Sequence, residues 1–157
     1  MKKRLITILC ILGVALPVLA GTGNIAPKAT ATASSSRDLG SGPDKAIDGL
    51  IHLDNAGEWV SGAIMPHWQQ LPFPWLQLDW EEEVTISRII LYDRPNKEAH
   101  TAGGDLYFSD GSRIGVVGIP NDGTPKVVEF EPKKVRWVKF VANDAIGSYI
   151  CLLYTSP

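Results

Sequence analysis

PWLQLDWEEEVTISRIILYDRP, from Pro74 to Pro95, decides how the rest of this chain is read. Leu76, Leu78 and Trp80 alternate with Gln77 and Asp79, the period-2 signature of a strand with one buried face. Three acids, Glu81 to Glu83, separate that run from a second, Val84 to Tyr92. The second run is rich in β-branched residues and apolar on both parities: Val84, Ile86, Ile90 and Tyr92 on one, Ile89 and Leu91 on the other. This predicts a central strand with a bulge, buried on both sides near its end. Pro95 removes a ladder donor and forces a loop. A strand whose polar end opens into a loop is where an all-β binding domain keeps its chemistry.

Outward from this pair the pattern stays short and extended. Upstream, Gly21 to Gly42 is poor in large apolar residues and reads as an entry segment with an edge strand in Ala29–Ala33. Pro43 to Gly49, PDKAIDG, has turn chemistry at both ends and room for one helical turn. Leu50 to Glu58 is a polar loop, Trp59 to Ser61 a short strand, and Ala63 to Pro74 a proline-rich loop carrying His67 and Trp68. Downstream, Asn96 to Gly104 reads as a loop and Asp105 to Phe108 as a strand. Asp110-Gly111 is a hairpin signal, with Arg113 to Ile119 as the return strand. After the turn at Asn121-Asp122-Gly123, strands at Val127–Phe130 and Val135–Val141 flank Pro132-Lys133-Lys134. Short strands with frequent turn signals, and no long 3.6-period segment, predict an all-β sandwich or barrel.

The ends are expected to lie outside the domain. Lys2, Lys3 and Arg4 precede an apolar run, Leu5 to Leu19, that finishes in small residues, the pattern of a secretory signal peptide over residues 1–20. The alternative, a membrane anchor, asks for a run of about 18 residues or more. Cleavage after Ala20 removes three positive charges from a formal −2 and leaves −5. No transmembrane segment then remains, and the expected location is secreted, periplasmic or at the cell surface. An acidic domain also lacks the basic patches that nucleic acid or anionic lipid requires. Cys10 leaves with the signal and Cys151 has no partner, so no disulfide framework is expected. The last seven residues, CLLYTSP, break the pattern and match one reading frame of a transposon-end adapter used in sequencing libraries. The expected organisation is a signal peptide over 1–20, one domain over 21–150, and a non-native tail over 151–157.

The ordered set NIAPKATATASSS, KAIDG, EWVS, WLQLDW, RIILYDRPN, LYFSDGS and RWVKF resembles the coagulation-factor type C, or discoidin, domain. In bacteria this domain grades into the galactose-binding-like, family-32 carbohydrate-binding modules. The resemblance runs from Asn24 to Ile150 and implies an eight-stranded jelly-roll β-sandwich. It also implies loops at one end that bind glycans, of galactose type or related, usually on an appendage of an exported glycoside hydrolase. Family members close with a strand that returns to the first; with CLLYTSP in that place, the last strand is expected to be missing and an edge exposed.

The resemblance also implies sites. The KAIDG turn in the family holds a structural calcium ion, and the matching positions are the Lys45 carbonyl and Asp48, with Asp54 or Asn55 adding a ligand. The alternative is that Asp48 only caps the turn. An arginine after the central strand often binds sugar in the family; Arg94 matches it, followed by Asn96. His67, Trp68, Glu98 and His100 complete the candidate sugar ligands, since a pyranose needs an aromatic face and groups that fork onto vicinal hydroxyls. For Arg94 the alternative is an ion pair with Asp93 or Asp79. Trp68 lies in a loop, whereas Trp59, Trp75, Trp80 and Trp137 sit on strand patterns and read as core or sandwich-end packing. Catalysis finds little support: Glu81 to Glu83 reads as a solvated turn, adjacent strand residues face opposite ways, and His52, His67 and His100 show no metal spacing. The expected function is an exported, non-catalytic carbohydrate-binding module of a larger glycan-degrading or surface protein. The alternative is a protein-adhesion module.

Overall fold

The computed structural model describes residues 23–50, 57–62 and 72–147, and the strand backbone of residues 151–155. Seven strands are described: β1 Thr30–Ala33, β2 Trp59–Val60, β3 Trp75–Tyr92, β4 His100–Phe108, β5 Arg113–Val117, β6 Pro125–Ile146 and β7 Cys151–Thr155. Their pairing order is β2-β7-β3-β6-β4-β5, with β1 on β3, and every pairing is antiparallel. Three short 3₁₀ turns, at Ala26–Lys28, Leu39–Ser41 and Pro43–Ala46, are the helical pieces among the described residues.

The organising stretch forms one strand where the sequence suggests two. Glu81 to Glu83 are exposed but extended, and they mark a corner in β3, not a turn. Pairing with β6 shifts register between Asp79 and Val84, and again between Ile86 and Arg88. Bulges bend a strand and rotate its faces. Before the corner, β3 pairs with β1 and with the second half of β6; after it, with the first half of β6 and with β7. The two long strands thereby serve both leaves of a β-sandwich, β1-β3-β6-β4-β5 and β2-β7-β3-β6. Leu76, Leu78, Val138, Phe140, Leu106 and Phe108 of the first leaf share one core with Ile86, Ile89 and Leu91 of the second. The second bulge also explains the double parity of the run. Ile86 and Ile89 sit an odd number of residues apart, yet both are fully buried, because the extra residue resets the alternation. Ile90 and Tyr92 are half-buried on the opposite face, so the end of β3 is buried on one side and not on both.

Three further differences have physical reasons. β6 runs without a break through Pro132-Lys133-Lys134, which lie where its register against β3 changes. β4 starts at His100, and Gly103 and Gly104, expected in a loop, lie inside it. A side chain at Gly104 would sit 2.7 Å from the Phe140 ring and collide with the Val141 carbonyl, so glycine is what lets β4 lie flat on β6. Gly104→Ala is therefore expected to destabilise the domain by about 1–3 kcal/mol in urea unfolding, whereas Gly115→Ala, whose Cβ would meet only Asp105 Oδ1 at an ordinary 3.8 Å, changes little. The third concerns the expected missing strand. Cys151–Thr155 pairs with β3 (Tyr92 opposite Leu153) and with β2 (Trp59 opposite Leu152). Strand pairing needs only extended backbone with free N–H and C=O groups, which CLLYT supplies, so the edge expected to be open is occupied.

Of the tryptophans on strand patterns, Trp59 and Trp80 are buried in the core. Trp75 and Trp137 have the outward parity of Gln77 and Lys139 and stay half-exposed, with the Lys139 ammonium 4.4 Å above the Trp75 ring. No helix among the described residues is long and apolar enough to cross a membrane.

Candidate functional site

The stretch from Ala29 to Pro43 contains only two charged residues, Arg37 and Asp38, adjacent and opposite in sign. They organise the loop after β1. Asp38 caps the turn at Leu39–Ser41: its Oδ1 accepts the Gly40 N–H and the Ser41 hydroxyl, both at 2.9 Å. Its Oδ2 accepts from Arg37 Nε at 3.0 Å. The Arg37 and Ser41 bonds hold the Asp38 carboxyl below its usual range. Leu39, between these tied residues, is fully exposed.

The loop is laced to β2. The Arg37 N–H donates to the Val60 carbonyl at 2.8 Å, the Trp59 indole N–H to the Ser35 carbonyl at 2.9 Å, and the Gly62 N–H to the Ser35 hydroxyl at 3.0 Å. Between the two lies a cleft of about 190 Å³, with Arg37, Asp38, Gly40 and Ser41 on one side and Gly57 and Glu58 on the other.

Behind the cleft is a buried charge cluster. Arg94 pairs with Glu58 at 2.8 Å (Nη1 to Oε1), and the two side chains are only 7% and 2% exposed. The anticipated alternative for Arg94 was Asp93 or Asp79; its ion-pair partner is Glu58, brought in by β2. Asp93 is buried beside it, and its Oδ2 accepts the Thr101 N–H at 2.9 Å. Burial pushes the Asp93 carboxyl up to about 7; the Thr101 and Arg94 N–H groups and the Arg94 charge oppose that shift, and the Glu58 charge adds to it.

The other anticipated residues fall in different places. Asn96 Oδ1 accepts the Glu98 and Ala99 N–H groups at 2.9 and 3.3 Å, so its side chain shapes the loop between β3 and β4. Glu98 is exposed, and His100 opens β4 half-buried. His67, Trp68, Asp54 and Asn55 lie outside the described residues. Lys45 belongs to the turn at Pro43–Ala46, and Asp48 Oδ1 accepts the Leu50 N–H at 2.9 Å, which is turn capping. Calcium takes six to eight oxygens. This turn offers the Asp48 carboxylate and the Lys45 carbonyl, which is part of such a shell. No group of three His, Cys, Asp or Glu side chains gathers as a metal site among the described residues. Sequence reasoning missed Arg37, Asp38 and Glu58. The signal for the first two was available, as a lone charge pair in an Ala-, Ser- and Thr-rich stretch. The signal for Glu58 was not, since its partner lies 36 positions away in the chain.

The two-leaved antiparallel sandwich is the discoidin-type, galactose-binding-like fold of the family-32 carbohydrate-binding modules. The chain is similar to the lectin domain of lectinolysin complexed with Lewis B antigen (TM-score 0.68, 19% identity, covering 87% of this chain and 96% of that one). It is similar to chitosan-binding module 1 from a Paenibacillus sp. IK-5 chitosanase/glucanase (TM-score 0.66, 18% identity, 86% and 98%). It is also similar to the family 32 module of Clostridium perfringens NanJ in complex with galactose (TM-score 0.64, 18% identity, 85% and 96%). Residues 24–148 match the model of a domain of unknown function, DUF7402, and the chain belongs to that family. No curated protein sequence matches it.

Proposed function

We propose that this domain is a non-catalytic carbohydrate-binding module whose site is the cleft between Arg37–Ser41 and Gly57–Glu58. The observation that carries the reading is the Arg37–Asp38 pair at the cleft edge. A guanidinium and a carboxylate, fixed relative to each other at 3.0 Å, present the donors and acceptors that fork onto vicinal sugar hydroxyls. The cleft is smaller than a drug-sized pocket and suits a single pyranose ring. Leu39 adds an exposed apolar tip beside it for a C–H face. The sugars named for the structural neighbours, galactose and Lewis B among them, support the same class of ligand.

Two carboxylates, Asp38 and Glu58, line the cleft, yet they do not make a hydrolytic pair. A glycosidase needs one carboxyl kept protonated as general acid. Asp38 is pushed the other way, and Glu58 is committed to Arg94.

The test is a glycan array and titration with the full chain. Asp38→Asn retains the Oδ1 acceptor that caps the turn and removes the charge; Arg37→Gln removes the guanidinium. Each is expected to lower affinity tenfold or more, with little change in melting temperature. If both variants bind sugars as the parent does, the site is wrong. If no glycan binds and a protein partner is captured, the domain is an adhesion module.

Export, attachment to a larger glycan-degrading or surface protein, and a calcium ion at the Asp48 turn belong to the same reading. For the ion, millimolar calcium is expected to raise the melting temperature by a few degrees, and Asp48→Ala to abolish the rise. An identical response in the variant would place the ion elsewhere.

A further inference from the structure

Three aromatic side chains stand on the outer face of the first leaf, where the core does not require them. Trp75, Trp137 and Tyr107 lie on β3, β6 and β4, three adjacent strands, and none belongs to the core cluster. Strand register places them. Thr32, Gln77, Lys139, Tyr107 and Arg113 form one row across all five strands of the leaf. Trp75 lies in the next row on one side, opposite Val141, and Trp137 in the next row on the other, opposite Asp79. With strands about 4.8 Å apart and alternate residues about 6.8 Å apart, the three Cα positions are roughly 8–14 Å from one another. No two of the three are cross-strand partners, so pairing of aromatics across the sheet does not account for them. The polar residues around them are tied in place. The Gln77 amide donates to both Asp79 oxygens, at 2.9 and 3.0 Å. Asp105 Oδ2 accepts from Arg113 Nη2 at 2.7 Å and Asn143 Nδ2 at 2.6 Å, which holds the guanidinium 5.8 Å from the Tyr107 ring centre. The formal charges of these rows, Lys139 and Arg113 against Asp79 and Asp105, cancel.

We propose that this face is a second glycan-binding surface, one that takes an internal stretch of a neutral polysaccharide chain. It adds to the carbohydrate-binding reading above and does not depend on the cleft, whose lining residues all lie elsewhere. Sugar rings present C–H faces that stack on aromatic rings, and hydroxyls that hydrogen-bond between them. Separate aromatic footings, with Thr32, Gln77 and Asp79 among them, match a ligand that alternates in the same way. The spread of the three rings asks for several sugar units, so the ligand is a chain and not a single pyranose. The balanced charge selects an uncharged polymer, because nucleic acid and anionic glycans are held by an excess of cations. A protein partner is the poorer match: interface cores are depleted of charge, and here Lys139 occupies the ground between the rings. The Lys139 ammonium rests 4.4 Å above the Trp75 ring. An exposed cation–π contact is weak, so a stacking sugar can displace it.

The experiment is affinity electrophoresis of the full chain in gels containing mixed-linkage β-glucan, laminarin or glucomannan. Alginate is the anionic control, and galactose affinity is measured in parallel. At least one neutral polysaccharide is expected to retard the parent, and alginate is not. Trp137→Ala combined with Tyr107→Ala should weaken that retention about fivefold or more, the scale of lost ring stacking, and leave galactose affinity unchanged. Arg37→Gln should do the reverse. Should the double variant fail to fold, the Trp75 and Trp137 indole N–H signals of the parent are an independent measure. They are expected to shift on titration with a hexasaccharide of the retarding polymer. Retardation by none of the three neutral polymers, by alginate alone, or undiminished in the folded double variant would overturn the proposal. So would indole signals that stay in place. If galactose does not bind while the double variant loses retention, the cleft reading fails and this surface stands.

Discussion

An Arg94→Ala variant will lose about 3–5 kcal/mol of unfolding free energy at pH 7, measured by urea denaturation. Removing the guanidinium takes the 2.8 Å ion pair from the buried Glu58 carboxylate and removes the Arg94 charge that acts on Asp93. Glu58→Ala will cost less, because Asp93 stays beside Arg94 as a second anion able to ionise. That asymmetry separates the cluster from a simple two-member pair. A double variant, Glu58→Leu with Arg94→Met, removes both charges, leaves Asp93 protonated, and should recover much of the loss. Were the single Arg94 substitution to cost under about 1 kcal/mol, as at exposed ion pairs, the Glu58–Arg94 pair would not act as a buried one. The same reasoning decides which variants can test sugar binding. Loss of binding in Arg94→Ala would report a collapsed wall as readily as a lost ligand contact. Arg37→Gln and Asp38→Asn, on the exposed side of the cleft, carry that question.

Much of the architecture was legible because it depends on local pattern. Leu76, Leu78 and Trp80 face inward as their alternation requires, Gly111 and Gly123 adopt positive φ at the two predicted turns, and the edge strand on Thr30–Ala33 pairs with β3. What escaped was long-range. The acids at Glu81–Glu83 look like a turn to a local reading, and only their place at the corner between two leaves keeps them extended. Gly103-Gly104 looks like a hinge until β6 is laid against it. The charge cluster was least legible. Asp93 and Arg94 stand together in the sequence and suggest a pair with each other, whereas Glu58 arrives from another strand and changes what each does. His67 and Trp68 lie outside the described residues.

Asp93 gives the second large effect, and its sign is opposite to that of most carboxylates. Its ordinary value of 3.8 is raised to about 7 in the folded protein, so between those values the folded state holds a proton that the unfolded chain has released. Stability contributed by such a group is full below about pH 4 and is lost as pH rises to about 7, by up to roughly 4 kcal/mol if the whole shift is expressed. Asp38, Asp110 and Asp122 have lowered values from hydrogen bonds to Arg37, Ser112 and Thr124, and their contributions are lost on the other side, as pH falls through the folded values. The parent is therefore expected to be most stable in mildly acidic solution and to weaken steadily towards neutrality. Asp93→Asn removes that slope. By urea unfolding it should be roughly 1–3 kcal/mol more stable than the parent at pH 8, with the advantage gone by about pH 4.5. A parent whose stability rises between pH 5 and 8, or a variant that tracks it across that range, would mean Asp93 is ionised in the folded state. Glu58 and Asp93 would then both be ionised beside Arg94.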